Sequence, residues 1–144
     1  MPQERIDQAY EITWLVRRLF RAMGARADDY LADSGLSAAD RAVMEFLYPD
    51  QALSVPDIAR RYDVSRQHVQ VTVNGLLSRG LLRSIVNPRH KRSRLIRLSS
   101  LGRDSFAEIR RNETTVVQHV FEDIPDDALN TTKATLTALL AKIS

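Results

Sequence analysis

Gln67, Gln70 and Asn74 recur at intervals of three and four residues, and each amide offers a carbonyl acceptor beside an N–H donor. That pairing matches the N6 and N7 edge of adenine, and Val71 among them has the shape to touch a thymine methyl. Ser65, Arg66 and His68 stand just ahead, at what reads as a helix start, where unpaired N–H groups and the helix dipole favour a phosphate. Further on, Arg89, Lys91, Arg92 and Arg94 crowd six positions with no acidic residue among them. Arginine gains from the negative potential of a narrow minor groove, and less selectively from phosphate. The chemistry open to these groups is recognition of a polyanion with base edges.

Bond-making chemistry has no comparable support. His68, His90 and His119 lie far apart, with no ligand spacing for a metal. The chain has no cysteine, which removes disulfides, thiolate metal sites and thiol switches. No Gly-rich phosphate loop, nucleophile elbow or His-Glu-x-x-His helix occurs. We expect no catalytic residues, no metal, no cofactor and no enzyme.

The charge distribution agrees. From Val64 to Arg103 there is no aspartate or glutamate and there are nine lysines and arginines. The net charge of +3 therefore divides into a +9 block and a −6 remainder. A field confined to one stretch attracts a polyanion locally.

The elements that must position these residues follow from periodicity and punctuation. Ile6, Ala9, Ile12, Val16, Leu19, Phe20, Met23 and Ala27 recur every three or four residues, predicting a long helix from Ile6 to about Tyr30. Tyr10, Trp14 and Leu15 add apolar surface outside that stripe, so the helix needs cover on more than one side. Ser37 and Ser54 read as N-caps of two short helices, the second with Pro56 in its first turn. Ser65 opens a third, which stops near Arg79-Gly80. Taken at 100° per residue, Val69, Val73, Leu76 and Leu77 share roughly a 100° core-facing sector. Gln67, Val71, Asn74 and Ser78 lie opposite, flanked by Gln70. Then the period changes: Leu82–Val86 and Arg94–Leu98 are β-prone stretches around a polar tip from Asn87 to Ser93, which predicts a hairpin. Phe106, Ile109, Val116, Val117 and Val120 mark the next helix, and Leu129, Leu136, Leu139, Leu140 and Ile143 the last.

Helix, four-residue turn, helix and basic-tipped hairpin make a winged helix-turn-helix, the hairpin being the wing. The residues resemble the MarR-type transcriptional regulators. Leu36-Ser37 with Asp40, Val43 and Leu47 is similar to the helix before that family's reading head, and Ser54–Ala59 to its first helix. Gly80-Leu81-Leu82-Arg83, the tip from Asn87 to Ser93, and Leu98-Ser99 with Gly102 look like its wing and the entry to the next helix. The resemblance runs from about Leu36 to Gly102.

It implies a mainly α fold with a small β-hairpin wing and N- and C-terminal dimerisation helices. Residues 1–34 and 101–144 would form the helical dimerisation region and 35–100 the DNA-binding region of a single domain. It also implies a homodimer on a pseudo-palindromic operator in double-stranded DNA, with Arg92 as the wing arginine entering the minor groove. Two positions depart from the pattern: Asn87 and His90 stand where the family usually has aspartates that steady that arginine. His90 also places a titratable group beside DNA, so that binding is expected to vary mildly with pH. Many relatives release DNA when a small aromatic or phenolic effector binds between dimer layer and reading head. Tyr10, Trp14, Arg18 and Phe20 are candidates for such a pocket, though they read first as core and interface residues. The expected function is a dimeric, sequence-specific DNA-binding regulator, a repressor in the first instance. The alternative is a winged-helix module for RNA or a protein partner. With no apolar run of eighteen and no apolar h-region near the N-terminus, we expect a cytoplasmic protein without a membrane partner.

Overall fold

In the computed structural model, which covers residues 1–144, the element order is α1 (Gln3–Leu31), a short 3-10 turn (Ala32–Ser34), α2 (Ala38–Leu47), β1 (Leu53–Ser54), α3 (Val55–Tyr62), α4 (Arg66–Ser78), β2 (Leu82–Ile85), β3 (Leu95–Leu98), α5 (Ser100–Phe121) and α6 (Asp126–Ile143). The chain forms two compact units, Met1–Ile109 and Arg110–Ser144. No helix is long and apolar enough to cross a membrane.

In the first unit the helix starts lie where the hydroxyl caps put them. Ser37 accepts from the Asp40 N–H while Asp40 accepts from the Ser37 N–H, a reciprocal capping box. Ser54 accepts from the Asp57 N–H, with Pro56 in the first turn where its missing donor costs nothing. Ser65 accepts from the His68 N–H and starts α4. The turn between α3 and α4 is three residues, one fewer than the sequence reading. It closes through Asp63, whose φ of 55° is left-handed, a conformation aspartate tolerates better than most residues.

The sheet is antiparallel with order β1-β3-β2. Leu82 faces Leu98 and Ile85 faces Leu95 across the hairpin, each strand one residue shorter at the tip than its sequence pattern. The third strand, β1, is new: Leu53 and Ser54 pair with Ile96 and Leu95. Two residues carry no alternation, so nothing in the pattern signalled it.

The core sits beneath α4. Val69, Val73, Leu76, Met44, Leu47, Ile58 and Phe106 are fully buried together with Leu98 and Ile96 from the sheet. Burying each such side chain is worth about 1.5–3 kcal/mol. On α4 the buried sector is rotated from the one expected. Thr72 is inside and Leu77 only half-buried, because the Thr72 hydroxyl donates to the His68 carbonyl and brings no unpaired polar group with it.

Around the wing root, Ser99 organises the entry to α5. Its N–H donates to the Leu81 carbonyl, its hydroxyl donates to the Gly80 carbonyl, and the same hydroxyl accepts from the Gly102 N–H. A Cβ at Gly102 would lie 1.9 Å from the Leu81 carbonyl oxygen, so only glycine permits this approach. The Leu98-Ser99…Gly102 pattern thus has a steric cause.

Long apolar stretches stay uncovered in both units. On α1, Ile12, Trp14, Leu15, Val16, Leu19, Phe20 and Met23 are exposed and Leu31 alone is buried. In the second unit Val117, Val120, Phe121, Leu136, Leu139, Leu140 and Ile143 are exposed. A monomer in water rarely leaves this much apolar surface open.

Candidate nucleic-acid interface

The helix α4 presents its amide face outward because its opposite face is committed to the core. Ser65, Arg66, Gln67, His68, Gln70, Val71 and Asn74 are all exposed, Val71 by 67%. An exposed valine among amides has no packing reason, and is suited to an apolar contact with a base. Gln70 and Asn74, one turn apart, are joined: Gln70 Nε2 donates to Asn74 Oδ1 at 2.8 Å.

The wing tip, exposed at Arg89, His90, Lys91, Arg92 and Arg94, is shaped by backbone bonds and one side chain. Asn87 Oδ1 accepts from the Arg89 N–H at 3.0 Å, the Asn87 carbonyl from the His90 N–H, and the His90 carbonyl from the Ser93 N–H. Asparagine closes this turn as aspartate would, since both carry the accepting oxygen, but it adds no negative charge. The departure at Asn87 therefore leaves the turn intact and the tip more basic.

Between α4 and the wing lies a cleft of about 500 Å³, lined among others by Arg66, Gln67, Gln70, Ser84, Arg92, Ser93 and Arg94 and by no carboxylate. A shallower groove of similar size runs past the start of α4, with Arg60, Ser65 and Arg66 on its wall. The structure thus gathers candidates from two separate sequence segments around one cationic cleft. Ser65, His68, Val71 and Asn74, and Arg89, His90 and Lys91 of the wing tip, do not line it.

The nine basic residues of the acid-free block fall into two classes. Arg79 donates to the Gly35 carbonyl at 3.0 Å with Asp40 nearby at 3.8 Å. Arg103 and Arg97 approach one carboxylate oxygen of Asp50 at 2.8 and 3.8 Å. Arg94 folds back across the hairpin: its Nε donates to Ser84 Oγ at 2.6 Å and its Nη2 to the Ser84 carbonyl at 3.1 Å. The side chains of Arg66, Arg83, Arg89, Lys91 and Arg92 make no internal hydrogen bond or ion pair, so their charge is open to a ligand. Among the sequence candidates, Arg94 alone is tied within the hairpin, where it braces the wing behind Arg92.

Three residues at these clefts carry no signal in the sequence. Ser84 and Ser93 look like ordinary strand and loop serines, and only the fold brings them beside arginines. Arg60 pairs with Asp57 one turn back, and its place beside the start of α4 depends on the α3–α4 turn. The Ser54 hydroxyl, and then Arg60, hold the Asp57 carboxyl below the usual carboxylate range. No grouping of histidines and carboxylates is fit to hold a metal.

Residues 34–93 match the model of the MarR family. An uncharacterised protein of Mycobacterium tuberculosis is 28% identical over 138 residues, which is 96% of this chain and 91% of the relative. The crystal structure of S. aureus MepR in its DNA-binding conformation superimposes with a TM-score of 0.85 at 20% identity, covering 92% of this chain and 98% of that one. A mutant of E. coli MarR complexed with operator DNA gives a TM-score of 0.79 at 16% identity, covering 93% and 96%. The matched stretch takes in the caps Ser37, Ser54 and Ser65 and the wing as far as Ser93. The chain shares the fold of these solved structures, and its residues 34–93 are similar to the MarR family.

Proposed function

We propose that the protein is a homodimeric, sequence-specific regulator of transcription that binds a pseudo-palindromic operator in double-stranded DNA and represses by occupying it. The observation that carries this reading is the carboxylate-free cleft between α4 and the wing, with unpaired arginines and outward amides on its walls. Amides on α4 supply base contacts in the major groove, and the unpaired cations of the wing supply the phosphate and minor-groove contacts. The reading head is residues 35–100. Residues 1–34 and 101–144 form the dimerisation region, and their open apolar faces are covered by a second copy. A small aromatic effector would meet Tyr10, Trp14, Phe20 and Arg18, all exposed in the single chain. The protein works in the cytoplasm and carries out no reaction of its own.

The test is selection of bound fragments from genomic DNA, followed by competition at about 150 mM salt. The selected duplex should outcompete random duplex and RNA of equal length. Preference for RNA, or equal binding of all three, would replace this reading with a winged-helix module for RNA or a protein partner.

A further inference from the structure

Resting on the duplex-reading role above, we infer that Gln70 and Asn74 act as one coupled reading unit that selects two adjacent base pairs jointly. The bond between their amides is the starting point. Each amide has one carbonyl oxygen and one NH2 group. Joining them turns an NH2 hydrogen of one towards the carbonyl of the other. What remains outward is a paired display: the carbonyl of Gln70 and the NH2 of Asn74 stay wholly free, whereas Gln70 keeps only its second N–H and Asn74 Oδ1 only its second lone pair. If the bond reverses, the display reverses with it, and Gln70 then offers the donor and Asn74 the acceptor. Neither residue changes what it shows without changing the other.

The geometry places that display over neighbouring base pairs. Four residues rise about 6 Å along a helix axis, nearly two base-pair steps of about 3.4 Å, but the bonded amide ends meet at 2.8 Å, within a single step. Both side chains are exposed, and Gln70 lines the cleft towards the wing. Gln67 and Val71 have no such bond, so they read their positions independently. The joint constraint also fixes both side chains before DNA arrives, which removes part of the ordering cost of binding. A base pair that forces one amide to turn leaves the other mismatched or breaks the bond between them.

Coupled reading has a signature that separate contacts lack: the cost of changing both base pairs differs from the product of the separate costs. Affinities of wild type, Gln70→Ala, Asn74→Ala, the double variant and Gln67→Ala would be measured on operators carrying every dinucleotide at the two positions. In wild type each single change should cost about tenfold or more, and the double change should depart from the product by more than about threefold. Either Gln70→Ala or Asn74→Ala should relax both positions and abolish the departure, and Gln67→Ala should preserve it. Multiplicative behaviour in wild type, or each alanine relaxing one position alone, would overturn the inference while leaving the regulator reading intact. Failure of wild type to prefer any duplex would instead remove that reading, and the inference with it. The substituted side chains are exposed on a helix surface, where such changes leave stability nearly unaltered. Circular dichroism on each variant separates loss of reading from loss of fold.

Discussion

Arg92 and Arg94 stand two positions apart on the wing and differ in what holds them. Arg94 is bonded twice to Ser84 across the hairpin, whereas Arg92 has no internal partner. Replacing Arg92 by alanine should weaken binding to all duplexes and lower the slope of log affinity against log salt by up to about one unit. Replacing Arg94 should also loosen the hairpin, visible as faster amide exchange at Ser84 and Ile85, a change Arg92→Ala should not produce. Equal exchange in the two variants would show that Arg94 does not brace the wing. This difference was not legible in the sequence, where both are basic residues in an acid-free run. The run is acid-free along the chain and not in space, because Asp40 and Asp50 from outside it reach Arg79, Arg97 and Arg103. Pairing of that kind depends on tertiary approach, which residue order does not encode locally.

At the scale of elements, the caps and the wing were legible because their causes are local. Ser37, Ser54 and Ser65 each bond an N–H three residues on, so the helix starts are written in the sequence itself. The two-residue strand β1 and the rotated core face of α4 were not, since both follow from packing against β3 and the core. Two glycines test the elements. Gly75 lies in α4, and a Cβ there would meet nothing within 4 Å. Gly75→Ala should therefore stabilise the free protein by about 0.8–1 kcal/mol and, on the outward face of α4, weaken operator binding. Tighter binding would show that DNA does not approach there. Gly102→Ala should lower the melting temperature, through a clash with the Leu81 carbonyl costing about 1–3 kcal/mol. The cap of α3 adds a pH dependence. Asp57 has a lowered pKa when folded, so its contribution is present above the unfolded carboxylate range and is lost as pH falls through the folded value. Asp57→Asn should flatten the acid limb of the melting curve; an unchanged limb would show the cap contributes nothing there.

For the whole molecule, the uncovered apolar faces of α1 and of the second unit are the main unsatisfied feature of the single chain. Sedimentation should show a dimer at micromolar concentration, and a monomer would leave those faces unexplained. A two-fold dimer fixes how two reading heads meet DNA, with half-sites about 34–36 Å apart, one helical turn. The most direct measurement is affinity for the selected operator with about half a helical turn of DNA inserted between its half-sites, set beside the unaltered duplex and a random one. The insertion should turn the half-sites to opposite faces and drop affinity close to that for random duplex. Unchanged affinity for the altered operator would contradict that two-fold arrangement.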